Sequence, residues 1–290
     1  MMSRAQRMGV VAGLLVFAFG IPCLRPGAFA QGQAIPNFAP DDRTSWFPDR
    51  PMGDDFLPPA SGAGPVLADP AHPYTPNDEG RNTGVQPTYR IADLSNPILQ
   101  PWAREQMKKA NDEVLAGGVP FVARERCWPA GVPAFDIMRR VAPVWVVQSP
   151  KEVLLVWPSD QQVRRVYMNV PHSKNLKPSW YGDSVGHYEG DELVIDTIGL
   201  NDKSFVDNYR TPHTTQLHVV ERLKLVDGGK TLQIGIEVED PGAFTRKWSA
   251  IQRFKRWTEG PMAPSACAEN NFDYFTYKVE PIPQAAKPDF

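Results

Sequence analysis

Cysteine is scarce in this chain, with three in 290 residues and no C-x-x-C pair. The five histidines form no H-E-x-x-H and no H-x-H, so no sequence motif announces a zinc centre. Neither G-x-G-x-x-G nor a P-loop occurs, and no nucleotide cofactor is implied. Charge of one sign is also lacking. Thirty-one basic residues against 33 acidic ones leave a formal net charge of −2, which gives no net pull toward nucleic acid or an anionic membrane. Only one long apolar run occurs, Met8 to Leu24. Disorder of the whole chain is excluded by 42% hydrophobic residues, with 8 Trp, 14 Phe and 8 Tyr. Proline is abundant instead: thirty residues, roughly twice the usual share of about 5%. That disfavours an all-helical fold.

The single apolar run lies behind Arg4 and Arg7 and is followed by Ala28-Phe29-Ala30 before Gln31. A basic start, a short apolar stretch and an A-x-A site read as a cleaved signal peptide. Pro22 interrupts the run, which is short for a membrane span. Cleavage after Ala30 removes three arginines and no acid, so the mature chain carries a net charge of −5. A soluble periplasmic or secreted protein is expected, with no membrane insertion after cleavage. Two cysteines remain, Cys127 and Cys267, and in an oxidising compartment they read as one disulfide.

Four segments follow from the pattern: a signal peptide over 1–30, a Pro-rich extended arm over 31–95, a helix and irregular segment over 96–142, and a β-barrel domain with a C-terminal tail over 143–290. The arm shows neither helical nor strand periodicity and reads as a linker, a wrapping arm or a disordered stretch. Asn96-Pro97 predicts a helix start, with Leu99, Trp102, Gln106/Met107, Ala110 and Val114 as its docking stripe and Gly117-Gly118 as its stop.

From Val144 onward the period changes to that of strands. Eight are predicted, over 144–149, 152–157, 162–170, 180–189, 192–200, 217–226, 231–239 and 246–257. Gly190-Asp191 marks a tight turn that pairs Tyr188 with Leu193 and Gly186 with Ile195. Gly228-Gly229 marks another that pairs Leu225 with Leu232, Leu223 with Ile234, Glu221 with Ile236 and Val219 with Val238. The fold class is therefore mainly β: an eight-stranded antiparallel up-and-down barrel, lipocalin-like in architecture, or a strongly curved sheet. In such a barrel the short links 158–161, 190–191 and 227–230 share one end. The long links 171–179 and 201–216 share the other, together with Asp240-Pro241-Gly242.

The long-loop end is the expected mouth for one small ligand. Its loops carry His172, Asn201, Asp202, Asp207, Tyr209, Arg210 and His213. His213 with Asp207 could form an oriented general base, with Tyr209 and Arg210 holding an anionic or carbonyl group. Glu221 is set among Leu217, Val219, Leu223 and Leu225, so it faces the interior and needs a partner such as Arg165 or Arg253, or else a proton. Ser184, in Gly182-Asp-Ser-Val-Gly186, imitates a nucleophile elbow but falls inside a predicted strand.

The run Trp180-Tyr-Gly-Asp-Ser-Val-Gly-His-Tyr-Glu-Gly-Asp-Glu-Leu-Val-Ile-Asp-Thr197, with Tyr209-Arg-Thr-Pro-His213 and Leu217-His-Val-Val-Glu-Arg222, resembles an uncharacterised family of exported bacterial proteins. The resemblance spans about residues 90 to 272 and implies export, with no activity or catalytic residues attached. The function expected from the residues is binding of a small apolar or aromatic molecule at the barrel mouth. Cofactor-independent acid–base chemistry of isomerase, lyase or hydrolase type is compatible with it, with His213, Asp207 and Glu221 as the acting groups. The rival is a non-catalytic structural or interaction protein of the cell envelope; a metal-dependent hydrolase is third. Oligomeric state is not legible.

Overall fold

The computed structural model describes residues 35–49, 55–74, 90–118, 128–137, 143–158, 161–263, and the backbone of 272–273 and 278–279. The signal peptide expected over residues 1–30 and the disulfide expected between Cys127 and Cys267 fall outside the described residues.

Nine strands form one sheet: β1 (Ser45–Pro48), β2 (Trp145–Gln148), β3 (Glu152–Trp157), β4 (Gln162–Met168), β5 (Asp183–Glu189), β6 (Glu192–Ile198), β7 (His218–Val226), β8 (Thr231–Glu239) and β9 (Trp248–Trp257). Their order is β1-β9-β8-β7-β6-β5-β4-β3-β2. Two short strands, β10 (Phe272–Asp273) and β11 (Lys278–Val279), pair separately. The large sheet curls until its edges meet. Trp46 N–H donates to Val144 O at 2.8 Å and Val144 N–H to Trp46 O at 2.9 Å. The result is a nearly closed barrel, and the described residues include one α-helix, α1 (Pro101–Leu115).

Both glycine-marked hairpins have the expected register, including Tyr188 opposite Leu193 and Glu221 opposite Ile236. Alternation explains it: Leu193, Ile195, Val219, Leu223, Leu232, Ile234, Ile236 and Val238 all turn inward, and a one-residue slip would expose every one.

Two expectations are corrected. The arm supplies a ninth strand. β1 pairs with β9, Asp49 N–H continues to Arg253 O, and Leu57 exchanges two hydrogen bonds of 2.9 Å with Ile251. Phe38, Trp46, Phe56 and Val66 enter the core, so the described parts of the arm wrap the barrel. The sheet is also not wholly antiparallel, because β4 and β5 run parallel, with Val166 opposite Ser184 and Met168 opposite Gly186. The link between them is long enough to cross from one barrel end to the other, as a parallel pair requires. Gly182, at φ +61, lets that link re-enter the sheet; a Cβ there would lie 2.3 Å from Ile198 O.

The crossover changes which connections meet. Counting strand directions from β2, the turns 149–151, 190–191 and 227–230 share one end. The turn 158–161 lies at the other, beside the long links 199–217 and 240–247. The short 158–161 turn was expected at the opposite end. The two links after β6 and β8 remain together, as expected.

α1 starts later than predicted. Asn96 Oδ1 accepts Ile98 N–H and its amide reaches Pro65 O, so the chain turns there and Pro101 opens the helix. The buried face is Ala103, Met107 and Asn111. Asn111 satisfies both its amide groups on the Ala92 backbone, at 2.9 and 3.0 Å. Trp102, expected in the docking stripe, is 39% exposed and ties its indole N–H to Gly242 O.

Candidate functional site

The long link between β6 and β7 folds back over the barrel end and is pinned by its own polar groups. Asp207 accepts hydrogen bonds from Tyr209 N–H, Thr211 N–H and Thr211 Oγ–H at 2.9, 3.1 and 2.7 Å. Burial nevertheless dominates, and it pushes the Asp207 carboxyl up to about 6. Arg210, in the left-handed region at φ 61, turns inward and donates to Arg90 O at 2.7 Å. Arg90 in turn pairs with Asp55 at 2.9 Å, and its guanidinium lies 4.0 Å above the Tyr74 ring and 6.0 Å from that of Tyr209. Tyr209 is buried, which raises its phenol above the ordinary value, and its hydroxyl reaches Asp55 at 3.4 Å. Tyr209 and Arg210 thus anchor the arm to the loop.

His213 occupies a different position from the one expected. Its partner is not Asp207. Nδ1 lies 3.1 Å from Thr214 O and Nε2 lies 3.0 Å from Ser204 Oγ. A carbonyl can only accept, so Nδ1 carries the proton and Nε2 accepts from the serine hydroxyl. Burial lowers the imidazole below the ordinary histidine range, against smaller opposing contributions from the Thr214 carbonyl and the Asp240 and Asp202 charges. His213 is therefore neutral near pH 7. Thr214 is itself held by Asp240, which accepts its N–H at 2.5 Å and its hydroxyl at 2.8 Å.

His213 forms part of the wall of a cleft of about 500 Å³ between α1 and this loop. Trp102, Lys109 and Glu113 line the helix side; Asp202, Phe205, Arg210, Pro212 and His213 line the loop side. A second cleft, of about 510 Å³, follows the seam beside β2 and contains no histidine among its lining residues.

Other expected site residues lie elsewhere. His172 bonds Asp183 and Asp196 at 3.1 and 3.0 Å on the outside of the sheet, where His218 shares Asp196 Oδ1 at 3.0 Å. Asn201 caps its own turn by accepting Lys203 N–H at 3.0 Å. Glu221 is fully buried in the barrel, and its partner is Arg164 rather than Arg165 or Arg253. Arg164 Nη1 donates to Glu221 Oε1 at 2.6 Å, Nη2 bonds Glu221 Oε2 and Thr197 Oγ1, and Nε reaches Ser184 Oγ. Arg165 and Arg253 pair outside with Glu152 and Asp227. Asp136, from the 3-10 turn Ala134–Ile137, is buried where the Glu221 and Arg164 charges act on it. Burial first, then the Glu221 charge, raises its carboxyl well above the carboxylate range, so it carries a proton.

Glu221 therefore belongs to the barrel's internal network, while His213, Asp202 and Arg210 come together at the cleft. Sequence reasoning missed Ser204, Thr214, Asp240 and Trp102. Ser204 precedes His213 by nine residues in irregular chain, a separation that no periodic element converts into a contact. Among the described residues, no group of three or more His, Cys, Asp or Glu side chains is arranged to hold a metal ion. No helix there is long and apolar enough to cross a membrane. Comparison with known families, curated proteins and solved structures gave no match.

Proposed function

We propose that this is an exported protein that binds a small, largely apolar or aromatic molecule in the cleft between α1 and the 199–217 loop, with His213 as its acid–base group. The observation that carries the reading is His213 itself: a neutral, oriented imidazole in the wall of a ligand-sized cleft. Trp102, Phe205 and Pro212 supply apolar surface there, and Lys109 and Arg210 supply positive charge. Ligand pockets combine such features. The barrel interior is a poorer candidate, because Arg164, Glu221, Trp157, Phe254 and Val166 fill it. Export to the periplasm and a Cys127–Cys267 bond complete the proposal on sequence grounds.

Native mass spectrometry of periplasm-purified protein tests this directly. The expected species begins at Gln31, is two hydrogens lighter than the dithiol form, and retains a small molecule or takes up aromatic carboxylates. Uptake should shift the Trp102 indole N–H signal in NMR, assigned with Trp102→Phe. A protein that carries nothing and leaves that signal unmoved by such compounds is the envelope scaffold instead.

A further inference from the structure

We infer that the chain's own C-terminal hairpin, β10–β11 with its aromatic turn, docks on the outer apolar face of β2, β3 and β4. β3 is apolar at five successive positions, Val153 to Trp157, and β2 at three, Trp145 to Val147. Runs of that kind belong to strands covered on both faces. The inner face is covered, because Val146, Val153, Leu155 and Trp157 are buried in the core. On the outer face, Trp145, Val156 and Val163 form one row across the three strands, and Val147, Leu154 and Arg165 form the next. Val147 and Val163 are 50% and 47% exposed, and Tyr167, one row further along β4, is 43% exposed. β2 is also the last strand in the sheet order, so this face runs to the seam. An exposed apolar face that reaches a sheet edge invites association unless something covers it.

The course of the chain says what covers it. β9 ends at Trp257, opposite Ser45 of β1. The bridge between Trp46 and Val144 sets Ser45 next to Trp145, at the margin of the apolar face. Phe254 points inward, so Trp257, three residues on, points outward; it is 38% exposed and packs on Phe47 with ring centroids 5.5 Å apart. The tail therefore departs from the margin of the face. Phe272 follows Trp257 by 15 residues, a reach of up to about 50 Å when extended, whereas the face from Trp145 to Val163 is two strand spacings, roughly 10 Å, wide.

The hairpin for its part needs a surface. Phe272 pairs with Val279 and Asp273 with Lys278, a ladder of two pairs. An isolated two-stranded hairpin is marginal in water. Between the strands stand Tyr274-Phe275-Thr276-Tyr277, three aromatics where turns ordinarily carry Gly, Asn, Asp or Ser. Aromatic rings gain most from burial, and an aliphatic face of Val147, Leu154, Val156 and Val163 offers it. A segment tethered this closely is present at the face at an effective concentration on the order of millimolar, which favours it over a second copy of the chain.

Crosslinking in the full mature chain tests the docking. Tyr167 is replaced by the photocrosslinking residue p-benzoylphenylalanine and the protein is irradiated. The expected product is a single chain in which position 167 is joined to a peptide from residues 264–290. Crosslinks confined to the barrel, or a crosslink to a second chain, overturn the inference. Val147→Glu combined with Val163→Glu should release the hairpin. Chymotrypsin should then cut after Phe272, Tyr274, Phe275 and Tyr277 about tenfold faster or more than in wild type, with the barrel's unfolding midpoint little changed. Equal cleavage rates in the two proteins overturn the inference as well. Both experiments are run with reductant present, so neither result depends on the Cys127–Cys267 bond, and neither involves the cleft beside His213.

Discussion

The buried acids set the pH behaviour of individual residues. Asp207 has a folded-state value raised to about 6 from an ordinary 3.8. A raised folded value means that the native state binds the proton more tightly. Its contribution is full below about pH 3.8 and is lost as pH rises through about 6, amounting to about 3 kcal/mol for a shift of that size. Denaturant titrations at pH 4 and pH 7 should therefore show wild type losing stability relative to Asp207→Asn, which cannot ionise. Parallel stabilities at both pH values would contradict the raised value. Inside the barrel, Asp136→Asn should be nearly neutral, because the acid is already protonated. Glu221→Gln should cost up to about 3–5 kcal/mol, the range for breaking a buried pair. Arg164 then turns to Asp136, which ionises, so the double variant should cost more than the two singles added. A double-mutant cycle with zero coupling would show that the acids are independent.

At the scale of elements, closure depends on a strand that no periodicity announced. β1 has four residues, Ser-Trp-Phe-Pro, too few for alternation to register and set among prolines. Tertiary pairing decides it: β9 offers an open edge, and the wholly buried Trp46 enters the core with its indole N–H on Phe38 O at 2.9 Å. Trp46→Ala should lower stability by about 3–5 kcal/mol, read from urea unfolding. A loss under about 1 kcal/mol would mean that β1 is dispensable. The hairpins β5–β6 and β7–β8 were legible because a glycine turn and an apolar face agree on one register. The direction of β5 was not. Inward and outward alternation is the same whichever way a strand runs, so only the crossover's path could reveal the parallel pair. The late start of α1 has a similar cause, since Asn96 spends its side chain on Ile98 and Pro65.

For the molecule as a whole, Cys127 and Cys267 bear on stability if they pair as proposed. A Cys127–Cys267 bond would close a loop of about 140 residues, worth up to about 5 kcal/mol in the chain-entropy account. Reduction with a phosphine should lower the unfolding midpoint by a corresponding amount. An unchanged midpoint, or two thiols titrating without reductant, would remove the bond from the proposal. The charged residues that face outward, such as Arg222 with Glu189 and Lys247 with Glu239, form exposed pairs that contribute little individually. The core and the seam carry the fold.

The sequence by itself determined the β class, the span of every strand from β2 to β9 to within a few residues, and the inward face of Glu221. Those depend on local period and local turns, which chain order contains. It also placed the links after β6 and β8 at one end, because the strands from β5 to β9 alternate in direction. The tertiary structure alone decided the partners. Arg164 rather than Arg165 meets Glu221, since pleat parity sends neighbouring arginines to opposite faces. Ser204 and Thr214 rather than Asp207 meet His213, since an irregular loop has no repeat from which contacts can be counted. Trp102 opens onto the cleft because α1 docks through Ala103, Met107 and Asn111, a face rotated from the one that hydrophobicity alone selected.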